Sequence, residues 1–411
     1  MNPGSEDASQ LSFPEALKIR PVRRLWIAQL VSIFGDFLAV FAVFSVVTFQ
    51  YHGSPFLVSM ILVAYFAPIA VISPVAGVYV DKWNVKWTMI ASDSLRCLLA
   101  VTLLFQHSIW GIYATLFLIS CVSSFFLPAQ IVAIRAITPP NALVAANGLM
   151  SQAQQGSQVV APAIAGLLVQ FVGANACFGF DCAGFLFSAL MVSTIAIYRK
   201  PGDSAEASVF DSMKEGLRFI FRHPALSTVI VSMTAGMFAI RIFGSLLSIY
   251  VRDLLHGTTT LFGVESSLIG VGMIGGAQLM PYLMKRSTHQ HLIAYGLAGM
   301  GAAVLLSAAW AQLAAATAAM LLVGFFAAFV MVCAQVLVQQ ETPHELLGRV
   351  SSTLWSLLSV AQVVALLAAG PVGERYGVIV LYYFSGAALV LVGVAAWWKF
   401  QSGAKADATA A

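Results

Sequence analysis

The stretch Gly77–Arg96, GVYVDKWNVKWTMIASDSLR, decides how the chain reads. It is almost the only charged break between two long apolar runs. Asp81, Lys82 and Lys86 are expected to face water at a tight turn. Asn84 occupies the turn, where Asn tolerates the left-handed conformation better than most residues. Asp93 and Arg96 fall inside the next apolar run, three residues apart and so on one face of a helix. A carboxylate and a guanidinium inside a membrane helix are costly unless paired or used. They are expected to form a structural charge network with Asp81.

Composition sets the class. The chain has 411 residues, 60% hydrophobic and 9% charged, against about 25% charged in soluble domains. This is the composition of a polytopic membrane protein. The net charge of +4 is spread over short connections and does not point to nucleic acid. Cys97, Cys121, Cys177, Cys182 and Cys333 all lie in apolar runs without metal-ligand spacing, and read as small buried side chains. Residues 1–21 are polar and show no signal peptide.

Twelve runs are long enough to span a bilayer: 23–49, 55–80, 87–106, 110–132, 143–172, 176–198, 225–250, 263–284, 290–309, 313–338, 346–371 and 377–399. Placing the N-terminus in the cytoplasm puts 17 Lys and Arg inside and only Arg252 and Arg375 outside, the asymmetry that sets membrane orientation. Both termini are therefore expected in the cytoplasm. The longest connection, Arg199 to His223, begins polar and then becomes amphipathic. Phe210, Met213, Leu217, Ile220 and Phe221 share one face opposite Lys214, Glu215, Arg218 and Arg222, as in a helix lying on a membrane surface.

This connection divides the chain into halves related by an internal repeat. A shift of 204 aligns Thr138-Pro139 with Thr342-Pro343, Leu143 with Leu347, Gly166 with Gly370, Gly173 with Gly377 and Phe180 with Phe384. The same shift lays Gly77–Lys82 on Pro281–Arg286, where Lys285 replaces the acidic residue. Both Thr-Pro pairs read as helix starts, with Thr342 capping and Glu345 completing a capping box. The expected organisation is a cytoplasmic tail (1–22), a six-helix bundle (23–198), a linker with an amphipathic helix (199–224), a second six-helix bundle (225–399) and a cytoplasmic tail (400–411).

The spacing Gly77-x-x-x-Asp81-Lys82, followed by Asn84 and Lys86, resembles the loop between helices 2 and 3 of major facilitator superfamily transporters. Asn84 stands where that family has a second Gly, and Val85 where it has Arg. A narrower resemblance is to the drug:proton antiporter group that includes macrolide and siderophore exporters. It is carried by Ser32-Ile33-Phe34-Gly35-Asp36, Ala146-Asn147-Gly148-Leu149, Phe180-Asp181 and the linker around KEGLRFIFRHP. The exporter motif of helix 5 maps onto Gly148, Ser157, Ala161, Pro162, Ala165 and Gly166, with three family glycines replaced by Ser or Ala. Small residues there still allow close helix approach, and Pro162 removes one backbone hydrogen bond. The resemblance implies an all-α membrane fold of two pseudo-symmetric six-helix bundles, efflux by alternating access, and a location in the bacterial inner membrane. A weaker resemblance is to lysophospholipid transporters, through Phe34-Gly35-Asp36 and a mid-helix Arg241.

Asp36 and Arg241 lie near the middle of helices 1 and 7, and the 204 shift sends Asp36 to position 240, beside Arg241. Desolvation disfavours the charged carboxylate, which suits a proton carrier. Arg241 is expected to be its partner or to bind an anionic substrate group. Asp181, about one turn inside helix 6, is a second proton-site candidate, whereas Glu265 reads as an interfacial charge starting helix 8. Gln152, Gln155, Gln158, Gln335, Gln339 and Gln362 are candidates for a polar cavity. Asp81 is expected to latch against Gly348–Ser351 at the start of helix 11. No phosphate-binding loop, metal cluster or nucleophile–base set is present, so neither an enzyme nor a cofactor is read. The expected protein is a monomeric, proton-coupled exporter of amphipathic small molecules. The alternatives are a flippase for lysophospholipid-like amphiphiles and a sensor that moves nothing.

Overall fold

A computed structural model describes residues 11–198, 209–343 and 346–410. Among them there are no strands, and twelve long helices carry the fold. They are α1 (Arg20–Ser45), α2 (Pro55–Lys82), α3 (Val85–Leu103), α4 (Ile109–Ile137), α5 (Leu143–Phe171), α6 (Ala174–Ser193), α7 (Pro224–Ser245), α8 (Thr259–Leu283), α9 (His289–Ala309), α10 (Leu313–Glu341), α11 (Leu347–Tyr376) and α12 (Val378–Ala410). A short extension, Leu247–Asp253, continues α7, and a linker helix, Val209–Arg222, precedes it. Ten of the spans are long and apolar enough to cross a membrane. The two that fall short are α3, with Lys86, Asp93 and Arg96, and α5, with its glutamines.

Two compact units emerge, and the boundary does not follow the linker alone. The first comprises the described residues of Met1–Val43 and Val71–Ala205; the second comprises those of Phe44–Ala70 and Glu206–Ala411. The first unit is cored by Val22, Leu25, Val80, Met89, Phe126, Ile134 and Val192. Its α3 packs against α4 and α6. A short N-terminal turn sets Phe13 against α5, where a Cβ on Gly148 would lie 2.6 Å from the ring. Basic side chains close one end: Lys86 Nζ donates to Ser193 O at 2.6 Å and Arg24 to Thr194 O at 3.0 Å, satisfying carbonyls that the end of α6 leaves free.

In the second unit α8 packs on α10, and α9 lies between α10 and α12. Small residues permit the approach: a Cβ on Gly393 would stand 2.7 Å from the Ala298 backbone nitrogen. Tyr250 and Tyr382 stack at 5.2 Å, and each hydroxyl donates to a backbone carbonyl, Ser307 at 2.7 Å and Phe243 at 3.1 Å. The 44–70 segment joins this unit through polar contacts. Val46–Gln50 widens to a π turn. The Thr48 hydroxyl bonds the Ser248 hydroxyl at 2.9 Å, and Arg252 donates to Thr48 O at 2.7 Å and Gly53 O at 3.1 Å.

The 204-residue repeat reappears in the backbone. His52 and His256 both have φ of 48°, and Gly173 and Gly377 both have positive φ. Gly53 N bonds Val47 O, and Gly257 N bonds Val251 O, each at 2.8 Å. Thr138 and Thr342 end α4 and α10 in extended conformation, with φ of −113° and −108°. This corrects the reading of Thr-Pro as a helix start. A residue before proline is pushed out of the helical region, so the pair stops one helix, and α5 and α11 begin four or more residues later. Neither threonine hydroxyl has a hydrogen-bond partner. Glu345, assigned to the capping box, lies outside the described residues.

The linker helix forms as its amphipathic pattern requires, and packs against α7 and α11. Ile220 is buried, while Leu217, Phe221, Lys214, Glu215, Arg218 and Arg222 are exposed. Phe210 and Met213 fall outside the described side chains.

Candidate functional site

The first unit gathers three carboxylates around one guanidinium. Arg96 of α3 bonds Asp93, one turn back on the same helix, and reaches Asp36 of α1 at 3.8 Å. Its guanidinium carbon stands 4.3 Å from the Phe126 ring centroid and 4.4 Å from that of Phe185. Two aromatic faces attract the cation and fix its plane. Asp93 is 0% exposed, Asp181 2% and Arg96 3%, whereas the Asp36 side chain keeps 20% exposure. Asp36 is thus the member that water or a proton reaches most easily.

Close contact of α1 and α6 brings Asp181 into this group. A Cβ on Gly35 would lie 2.9 Å from the Asp181 Cα and 3.1 Å from its Oδ1. A Cβ on Gly184 would lie 3.2 Å from Val31 O. Phe34 and Phe180 pack edge to face at 5.8 Å. Asp181 is two turns into α6, deeper than the one turn expected. Asp93 Oδ2 and Asp181 Oδ1 have no hydrogen-bond partner. Among the described residues three acids thus gather against one base, and Asp93 and Asp181 are buried, an arrangement that protons or a cationic group would balance. Cys97 and Cys182, next in sequence to Arg96 and Asp181, bring their sulfurs within 3.0 Å.

These contacts bear on two of the expected groupings. Within the first unit Asp36 has an ion pair with Arg96. Arg241 Nε donates to Gln362 Oε1 at 2.6 Å, and its guanidinium stands 5.0 Å from the Phe66 ring. Arg96 and Asp93 are gathered with Asp36. The Asp81 side chain, and Gly348 of the expected latch, lie outside the described side chains. Around that turn, Lys82 is exposed, and a Cβ placed on Gly77 would meet no described atom outside its own helix backbone within 4 Å. Asn84 has φ of −73° and caps α3, its side-chain oxygen accepting from Trp87 N at 3.2 Å. The turn survives the loss of glycine by capping, without the left-handed backbone expected.

Ser157, Ala161, Pro162, Ala165 and Gly166 of α5 are buried, so this face is a packing face. Gln152, Gln155, Gln158, Gln335 and Gln339 are exposed, and Gln155 donates to Ser151 at 3.0 Å. Glu265 is wholly buried, and α8 begins at Thr259, which puts it in the second turn. Arg252, counted as a loop charge, holds the 44–70 segment. Both residues stood out in sequence only as charges near helix ends.

Residues 25–363 match the sequence profile of the Major Facilitator Superfamily. The chain belongs to that superfamily. Macrolide efflux protein A of Streptococcus pyogenes is 25% identical to it over 90% of this chain and 93% of the relative. The uncharacterized MFS-type transporter YfiS of Bacillus subtilis is 27% identical over 89% and 90%. The multidrug efflux pump Tap of Mycolicibacterium fortuitum is 24% identical over 84% and 88%. Among solved structures, the nucleoside transporter NupG superposes with a TM-score of 0.75 at 12% identity, covering 92% of this chain and all of that one. The POT family transporter PepTSo gives 0.76 at 11% identity, over 93% and 98%. These two likenesses establish the fold. As a superfamily member the chain is a multi-pass membrane transporter.

Proposed function

We propose that this transporter exports amphipathic small molecules in exchange for protons, by alternating access. The observation that carries the reading is the Asp36–Arg96 pair with its two further carboxylates, Asp93 and Asp181. Relatives named for macrolide and multidrug efflux support the direction and the substrate class. Asp36 is the main proton site. While ionised it is held by Arg96; once protonated it no longer attracts the guanidinium, and the α1–α3 contact loosens. Asp181 and Asp93 compete for the same cation, so one proton gained changes the balance of the whole group. Proton and substrate then alter each other's affinity by the same factor.

In this reading the halves 23–198 and 225–399 are the moving bodies, with the protein a monomer in the bacterial inner membrane and both termini cytoplasmic. The clustering of Lys and Arg on that side supports the orientation. Asp81 latches the start of α11. Arg241 and the exposed glutamines contact substrate.

Transport of a labelled macrolide into inverted proteoliposomes, with and without a proton gradient, tests the proposal. Gradient-driven uptake that vanishes in Asp36→Asn supports it; uptake indifferent to the gradient rejects proton coupling. A second reading, movement of lysophospholipid-like amphiphiles, draws on Arg241, a planar cation suited to phosphate and stacked on Phe66. Labelled lysolipid in the same vesicles separates the two.

A further inference from the structure

The second unit holds a carboxyl group with no part in the site above. Glu265, in the membrane-spanning α8, is fully buried. Its Oε1 accepts a 2.7 Å hydrogen bond from the Thr317 hydroxyl on α10, and its Oε2 has no partner. No cation pairs with it among the described residues. α8 packs against α10 and the Leu247–Asp253 extension. Facing Glu265, α10 presents Thr317, and the extension presents Tyr250, whose hydroxyl is committed to Ser307 O. The one guanidinium of the extension, Arg252, is turned to Thr48, Gly53 and Asp253.

An ionised carboxylate here would be an uncompensated charge with a single hydroxyl donor. A neutral acid would leave only one uncharged O–H without a partner. The second penalty is much the smaller. An aromatic cluster lies one turn back on the same helix. Phe262 packs against Phe44 at 6.1 Å and Phe49 at 6.4 Å, both from the 44–70 segment of this unit. That segment is itself held by Arg252 and by the Thr48–Ser248 bond.

We propose that Glu265 is a second proton-binding acid of this transporter, holding its proton on Oε2 while the Phe44–Phe49–Phe262 cluster is closed beside it, and exchanging that proton with water when the cluster parts. The inference takes its use in transport from the proton-coupled reading above; the bound proton itself is tested without substrate or gradient.

The experiment is infrared spectroscopy of the purified full chain in lipid nanodiscs at neutral pH. The carbonyl stretch of a protonated carboxyl is followed after transfer to deuterated buffer. The expected result is a band present in the wild type, absent in Glu265→Gln and slow to shift in deuterated buffer. In Phe262→Ala, or in Phe49→Ala should the first variant fold poorly, the shift becomes about tenfold faster, as about 1.4 kcal/mol off the opening barrier would make it. A wild type without a band that Glu265→Gln removes overturns the proposal, because the carboxyl is then ionised. A band that exchanges as fast in the wild type as in the phenylalanine variants also overturns it, because the cluster then occludes nothing. Proton coupling stands or falls separately, on the vesicle measurement with Asp36→Asn.

Discussion

Arg96 of α3 stands 3.8 Å from Asp36 of α1 while bonded to Asp93 on its own helix. One buried cation thus serves carboxylates from two helices, and it contacts two phenylalanine rings. This geometry makes Arg96 the residue on which the interior of the first unit depends.

Removing that cation leaves buried carboxylates uncompensated. Arg96→Gln is expected to destabilise the protein by about 3–5 kcal/mol, the range for breaking a buried pair from one side. Arg96→Lys restores little, since an ammonium lacks the planar fork that fits two carboxylates and two rings. Thermal unfolding in detergent reads both variants, and a wild-type melting temperature for Arg96→Gln would reject the role.

Asp36 differs from its neighbours in keeping partial exposure. Asp36→Asn is expected to fold normally, bind substrate and lose accumulation against a gradient. Asp181→Asn should lower the rate while leaving some gradient dependence. Equal behaviour of the two variants in a vesicle assay would count against Asp36 as the main proton site.

The α1–α6 contact depends on Gly35, where a Cβ would meet the Asp181 backbone at 2.9 Å. Gly35→Ala is expected to cost about 1–3 kcal/mol, the usual penalty of overpacking. Gly179, where an added Cβ would meet nothing within 4 Å, is the control on the same helix pair. Gly179→Ala should be neutral or slightly stabilising, and the difference between the two melting temperatures measures the contact.

Arg252 makes two hydrogen bonds to the carbonyls of Thr48 and Gly53. Arg252→Ala is expected to lose about 1.5–3 kcal/mol for a charge-assisted bond of this kind. Cysteines at Thr48 and Ser248, whose hydroxyls are 2.9 Å apart, should form a disulfide under mild oxidation. Failure of that pair to cross-link in membranes would rule out the contact.

His52 and His256 both adopt φ of 48°, where a side chain is strained. His256→Gly should stabilise or be neutral, within about 1 kcal/mol, and His256→Val should destabilise by more. A matched pair at His52 should respond alike, because the two turns repeat the same backbone bonds. A melting-temperature series checks this.

The spans, the repeat and the family were legible because each depends on local sums. Hydropathy over about 20 residues marks a helix whatever it packs against, and a loop motif keeps its spacing through the fold. The matching His-Gly turns at 52–53 and 256–257 were equally present in the chain and strengthen the same shift. The Thr-Pro pairs were misread because one dipeptide can open a helix or close one, and only the neighbouring turn decides which.

Which charges meet was a matter for the tertiary structure. The repeat sends Asp36 to the position beside Arg241; within the first unit, α1 meets α3 and α6, and Arg96 pairs with Asp36. Sequence spacing fixes neighbours one turn apart, as for Asp93 and Arg96. It says nothing about which of twelve helices cross, because that depends on small residues such as Gly35 and Gly184 letting particular backbones touch. The burial of Glu265 follows the same logic. Its place near a helix start is written in the sequence, but α10 and the aromatic cluster that enclose its surroundings come from segments far away in the chain.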